Sequence, residues 1–121
     1  MKKLESLDVW KVGRKLSCAV YRLSGTPPLN RHFELRDQIR RAALSIPANL
    51  AEGYGLGTRR QLIRCTRIAL GSAYELRTHL ELAEELHLAP PSDGTEAIEL
   101  CNRAVALLIG LLRGLESTAR R

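Results

Sequence analysis

Arginine is the residue type whose number and spacing in this chain could do chemistry. Arg36, Arg40 and Arg41 lie within two helical turns of one another. Arg59 and Arg60 follow a glycine-rich stretch, and Arg60, Arg64 and Arg67 recur at i, i+4 and i+7, a spacing that stacks side chains on one helical face. A guanidinium is a planar fork of donors that fits phosphate or carboxylate oxygens, so the chemistry is anion recognition. Two partners fit these arginines: RNA or DNA through its backbone phosphates, or carboxylates in intersubunit salt bridges. Glu34, Asp37 and Glu52 are acids near enough in sequence to pair with them as well. Aromatic residues make up 4% of the chain, so nucleic-acid contact would be directed at the backbone rather than at stacked bases.

Other reactive side chains point away from catalysis. His32, His79 and His87 are isolated, with no HxxxH or CxxC spacing to hold a metal and no ExxH pair of the kind iron-binding bundles use. Cys18, Cys65 and Cys101 fall on apolar stripes and read as buried, reduced, small hydrophobes. Asn49 and Glu52 precede a glycine-rich joint, where Glu52 is better placed to pair with an arginine or cap a neighbour than to act as an acid or base. The joint itself, Gly53-Tyr54-Gly55-Leu56-Gly57, resembles a phosphate cradle only superficially. Such loops follow a strand and lead into a lysine–serine pair; this one follows a helical pattern and has neither. A non-enzymatic protein with no cofactor and no metal is expected.

The chain has 121 residues and a formal net charge of +6, enough for one domain, residues 1–121, with a core of its own. An odd number of widely spaced cysteines argues against a disulfide framework and for a reducing, cytoplasmic setting. The N-terminus MKKLESLDVW lacks the apolar run of a signal peptide. The longest apolar run, Ala104 to Leu112, is about half of the ~20 residues needed to span a bilayer.

The elements that must position these side chains are helices. Val9, Val12, Leu16, Ala19 and Leu23 step by three and four, with Trp10, Gly13 and Val20 beside them, and predict a helix over 6–24. Gly25 and Pro27-Pro28 stop it; Lys11, Arg14, Lys15 and Arg22 form its solvated face. Leu35, Ile39, Ala42, Ile46 and Leu50 predict a second helix over 30–56. Pro47 interrupts its hydrogen-bond ladder at the carbonyl of Ala43, yet the apolar period continues, so the helix is expected to pass through with a kink. Ser45 is the local residue suited to satisfy the freed group. Thr58-Arg59-Arg60-Gln61 is a capping box opening a third helix over 58–87, with Leu62, Cys65, Ala69, Leu76, Leu80 and Ala83 inward and small Gly71, Ser72 and Ala73 allowing a neighbour close. Its ends are electrically opposite: Arg31 to Arg67 carries +5, Glu75 to Glu99 carries −6. After Pro90-Pro91 a fourth helix over 92–117 shows two adjacent seams, Ile98/Cys101/Val105/Leu108/Leu112/Leu115 and Ala97/Leu100/Ala104/Leu107/Leu111. The second seam is either a subunit contact or part of a thick core. Thr118 to Arg121 reads as a frayed basic tail. No strand alternation is present.

Two nine-residue stretches carry a family resemblance, SIPANLAEG (Ser45 to Gly53) and IALGSAYEL (Ile68 to Leu76), supported by LDVWKVGRKL (Leu7 to Leu16). In this order they resemble the S23 four-helix-bundle proteins encoded in intervening sequences of bacterial 23S ribosomal RNA, and are similar to the accessory proteins of diversity-generating retroelements. The resemblance implies an all-α, left-handed, up-and-down four-helix bundle, a homo-oligomer in the form of a pentameric ring, and a possible link to ribosomal RNA. The expected function is that of a nucleic-acid-binding accessory protein, with a protein-interaction scaffold as the alternative.

Overall fold

A computed structural model describes residues 3–119. Four helices account for most of them: α1 (Asp8–Ser24), α2 (Phe33–Leu56), α3 (Arg59–Glu85) and α4 (Pro91–Ala119). Each packs against its neighbour in sequence, and α1 completes the square against α4. The chain therefore runs up, down, up and down around one core, the expected architecture. Among the described residues there is no strand and no helix long and apolar enough to cross a membrane.

Helix ends follow local chemistry. Residues Leu4–Ser6 form a separate 3-10 turn and Leu7 is extended, so α1 opens at Asp8 rather than Ser6. A second 3-10 turn, Leu29–Arg31, is cut off from α2 by His32 (φ −93°, ψ 74°), which delays α2 to Phe33. Gly57 ends α2 in the left-handed region (φ 80°), a conformation that glycine adopts without steric cost. Thr58 is then the N-cap of α3, its hydroxyl accepting from the Gln61 N–H at 3.2 Å; the return bond from the Gln61 side chain, the other half of a capping box, is not made among the described residues. The joint is thus shorter than its glycines suggest, because α2 stays helical through Gly53 and Gly55. Helix α4 starts at Pro91, ahead of the expected Ser92, since proline suits the first helical position, where no N–H partner is needed. It continues to Ala119; the remainder of the expected basic tail, Arg120 and Arg121, lies outside the described residues.

Helix α2 does pass through Pro47, but Ser45 is not what makes this tolerable. The carbonyl of Ala43, deprived of its usual donor, faces the Ser17 hydroxyl of α1 at 3.1 Å, a group also 3.0 Å from the Gly13 carbonyl. Ser45 instead shares a 2.8 Å hydrogen bond with Ser72 of α3 and accepts from Asn49 Nδ2 at 2.9 Å. Repair across the helix interface replaces the local repair expected.

The core draws on all four predicted stripes, with Leu16, Val20, Ile39, Ile46, Leu50, Leu76, Ala97, Ala104 and Leu108 fully buried. Both α4 seams contribute: Cys101 and Val105 are buried, while Leu100, Leu107 and Leu111 are half-buried against the same core. Both seams thus pack on this chain's own core, the second one only partly covered by it. Cys65 and Cys101 are buried as expected, but Cys18 is exposed, one position off the α1 stripe. Burial raises the Cys101 thiol to about pKa 11, and its S–H donates to the Ala73 carbonyl. Of the small residues in α3, Ser72 and Ala73 are buried at interfaces, whereas Gly71 is exposed with open space around it and allows no close approach. Gly53 takes that role: a Cβ there would meet Leu62 and Cys65 at 3.0 Å.

Candidate nucleic-acid interface

The seven arginines fall into two groups. In the antiparallel α2–α3 pair, Arg41 meets Glu75 and Gly53 meets Leu62 and Cys65. Arg36, Arg40 and Arg41 therefore stand beside the second half of α3, away from Arg59–Arg67. At 1.5 Å per residue, roughly 25 Å along the bundle separates Arg40 from Arg60.

The α2 group is occupied by the fold. Arg36 pairs with Asp37 at 3.0 Å, donates to the Asn30 carbonyl at 3.3 Å and lies over the Phe33 ring. Arg40 donates to Ser24 Oγ at 2.7 Å and stacks 4.5 Å over Tyr21, tying α2 to the end of α1. Arg41 bonds Gln38 and forms a salt bridge with Glu75 of α3. Glu75 is also 3.3 Å from His79 Nε2.

The α3 group is different. Arg59, Arg60, Arg64 and Arg67 line one open concavity of about 1060 Å³ together with Gln61, Ile63 and Ile68. Among the described residues, Arg59, Arg60 and Arg64 have no carboxylate or hydrogen-bond partner. Arg67 is fixed by Glu116 of α4 at 2.7 Å. The first turn of α3 contains no acid, although a helix N-terminus carries partial positive charge and favours anions. Cations gathered on a cationic pole disfavour one another, and an anion in the concavity would relieve both terms. Sequence reasoning passed over Ile63 and Ile68, although neither lies on the Leu62/Cys65/Ala69 stripe; that displacement was the available signal.

Base stacking has few surfaces available. Four of the five aromatic side chains already have an arginine over the ring: Trp10 by Arg14, Phe33 by Arg36, Tyr21 by Arg40 and Tyr74 by Arg77, at 4.5–4.8 Å. Among the described residues no group of three or more His, Cys, Asp or Glu converges as a metal site. Glu52 is exposed and, contrary to expectation, forms no ion pair with a described arginine.

The three motif stretches converge on packing. Gly13 of the first lies against Ile46 and Pro47 of the second. Ser45 and Gly53 of the second meet Ser72 of the third, and Leu62 and Cys65 before it. Gly13, Ser45, Gly53 and Ser72 are thus committed to close helix contacts, whereas Glu52, Ile68 and Gly71 of the same stretches are exposed.

Comparison with known proteins agrees with this architecture. The family described as 23S rRNA-intervening sequence protein matches residues 5–110. A crystal structure of a protein of unknown function from the S23 ribosomal protein family of Bacteroides thetaiotaomicron VPI-5482 superposes with a TM-score of 0.78 at 22% identity, covering 86% of this chain and 97% of that one. At that identity the likeness establishes the fold. No curated protein matches the sequence.

Proposed function

This chain belongs to the 23S rRNA-intervening sequence protein family, and from that premise we propose that it is a cytosolic, non-enzymatic accessory protein that binds nucleic acid through backbone phosphates. Ribosomal RNA is the first candidate ligand, by the family's name. The observation that carries the reading is the concavity with three unpartnered arginines, Arg59, Arg60 and Arg64, on the positive pole of α3. Arg67, held by Glu116, forms its edge, and Ile63 and Ile68 offer an apolar floor suited to sugar faces. Arg36, Arg40 and Arg41 are better explained as fastenings of the bundle than as ligand contacts.

The chain works as a homo-oligomer, a pentamer by the family resemblance, in which several concavities add up to a continuous basic surface. Leu44 and Tyr74, both more than 40% exposed on the middle of α2 and α3, are candidates for the subunit contact. The competing reading, an interaction scaffold, draws support from Arg41 and Arg67, which already bind carboxylates.

Fluorescence anisotropy with labelled RNA and DNA over a salt series decides between them. An assembly that neutralises about five phosphates of a single strand should show a slope of log K against log[salt] of roughly −3 to −4, with little dependence on sequence. The Arg60→Glu/Arg64→Glu variant should lose binding while keeping the wild-type mass. Absence of binding by the wild type at low salt would hand the function to the scaffold reading.

A further inference from the structure

The edge of the arginine concavity holds a carboxylate of its own. Arg67 lines the concavity with Arg60 and Arg64, and Glu116 of α4 accepts from it at 2.7 Å. The contact joins a single oxygen, Oε2, to a single nitrogen, Nη2, so most of the guanidinium fork is unused. Both side chains reach water, Arg67 being 60% and Glu116 35% exposed. Glu75, the carboxylate that meets Arg41 between α2 and α3, also stands 3.3 Å from His79. Glu116 has no second partner among the described residues. It lies in the last turn of α4, which contains no base, at the negative pole where a carboxylate is disfavoured. Three residues back on the same helix, Arg113 is exposed and likewise without a partner among the described residues.

We propose, resting on the reading of the concavity as a phosphate-binding surface, that Glu116 stands where a phosphate would at this edge. In the free protein it neutralises Arg67. A nucleic-acid phosphate displaces it, and Arg67 then joins Arg59, Arg60 and Arg64 as the fourth arginine contact. The exchange runs in that direction because a guanidinium meets a phosphate through two parallel N–H bonds, whereas an exposed, single-contact ion pair holds weakly in water. The displaced carboxylate finds Arg113 one turn away on its own helix. Glu116 thereby sets the affinity of the site below what four free arginines would give.

The test is anisotropy with labelled single-stranded RNA over a salt series, on the full chain, for variants whose mass by light scattering equals the wild type's. Glu116→Gln should tighten binding about two- to fivefold at low salt, the worth of an exposed ion pair. It should also steepen the slope of log K against log[salt] by up to about 0.7 per site engaged. Arg67→Gln should weaken binding, and adding Glu116→Gln to it should bring no gain, because the gain passes through Arg67. Glu99→Gln makes the same change of charge at an exposed position in the first half of α4 and should leave the affinity unchanged. Unchanged or weaker binding by Glu116→Gln, or an equal gain in the Arg67→Gln background, would overturn the proposal. In either case binding by the wild type would leave the nucleic-acid reading standing. If neither the wild type nor Glu116→Gln binds RNA at low salt, that reading and this proposal fall together.

Discussion

Proline inside α2 leaves the Ala43 carbonyl to a hydroxyl on another helix, which divides its one proton between that carbonyl and Gly13's. Ser17 faces the Ala43 carbonyl that Pro47 leaves without a donor, and a buried carbonyl without a partner costs about 1–3 kcal/mol. Ser17→Ala should therefore destabilise the protein by about that amount in urea denaturation. In a Pro47→Ala background, where the backbone N–H is restored, the same substitution should cost clearly less; equal costs in the two backgrounds would refute the assignment. Cys101 gives a pH signature at the same scale. Burial lifts its thiol from 9.0 to about 11, so between those values the unfolded chain ionises while the folded one keeps its proton. The contribution of this group is constant well below pH 9 and falls as pH rises towards 11, by up to about 2–3 kcal/mol. The urea midpoint of Cys101→Ala should accordingly decline less over that interval than the wild type's.

Helix α3 is charged against its own dipole at both ends, with Arg59 and Arg60 in the first turn and Glu84 and Glu85 in the last. Each such charge costs roughly 0.3–1 kcal/mol, so helix stability does not account for their placement. Arg60→Glu/Arg64→Glu is thus expected to abolish nucleic-acid binding while leaving the thermal midpoint unchanged or slightly raised. A fall of several degrees would show that these arginines support the fold. The glycines of the bundle separate by the same logic of surroundings. Gly53→Ala forces a methyl against Leu62 and Cys65 and should destabilise by about 1–3 kcal/mol. Gly71→Ala meets open space and should stabilise by about 0.5–1 kcal/mol through helix propensity, both read from denaturant midpoints.

Across the whole molecule, the antiparallel arrangement collects the free arginines of α3 at one end of the bundle and the acids of α3 and early α4 at the other. Assembly would multiply the arginine surface. Static light scattering at micromolar concentration should report a mass above that of a dimer, and a stable monomer would remove the ring from this account. Leu107 is half-buried against the core, so Leu107→Glu should lower stability whether or not the mass changes.

Helix number, order and inward faces were legible along the chain because burial imposes a period on each segment separately. Val9 to Leu23 and Leu62 to Ala83 could be assigned without knowing what they pack against. The stops at Pro27 and Gly57 were legible for the same reason, since backbone geometry is a property of a few consecutive residues; α3 instead ends at Glu85, before Pro90-Pro91, with His87 at φ 57°. The arginine clusters were visible as spacing, but their availability was not. Arg40 and Arg64 look alike in sequence, and the difference is that Tyr21 and Ser24 reach Arg40 from another helix. Ser17 opposite Ala43, Ser45 opposite Ser72, and Leu29 and Leu88 entering the core from outside the helices are likewise pairings between residues distant in the chain. Periodicity specifies which face of a helix turns inward. Which residue of another helix it meets depends on the register of antiparallel packing, and that register exists only once the helices have docked.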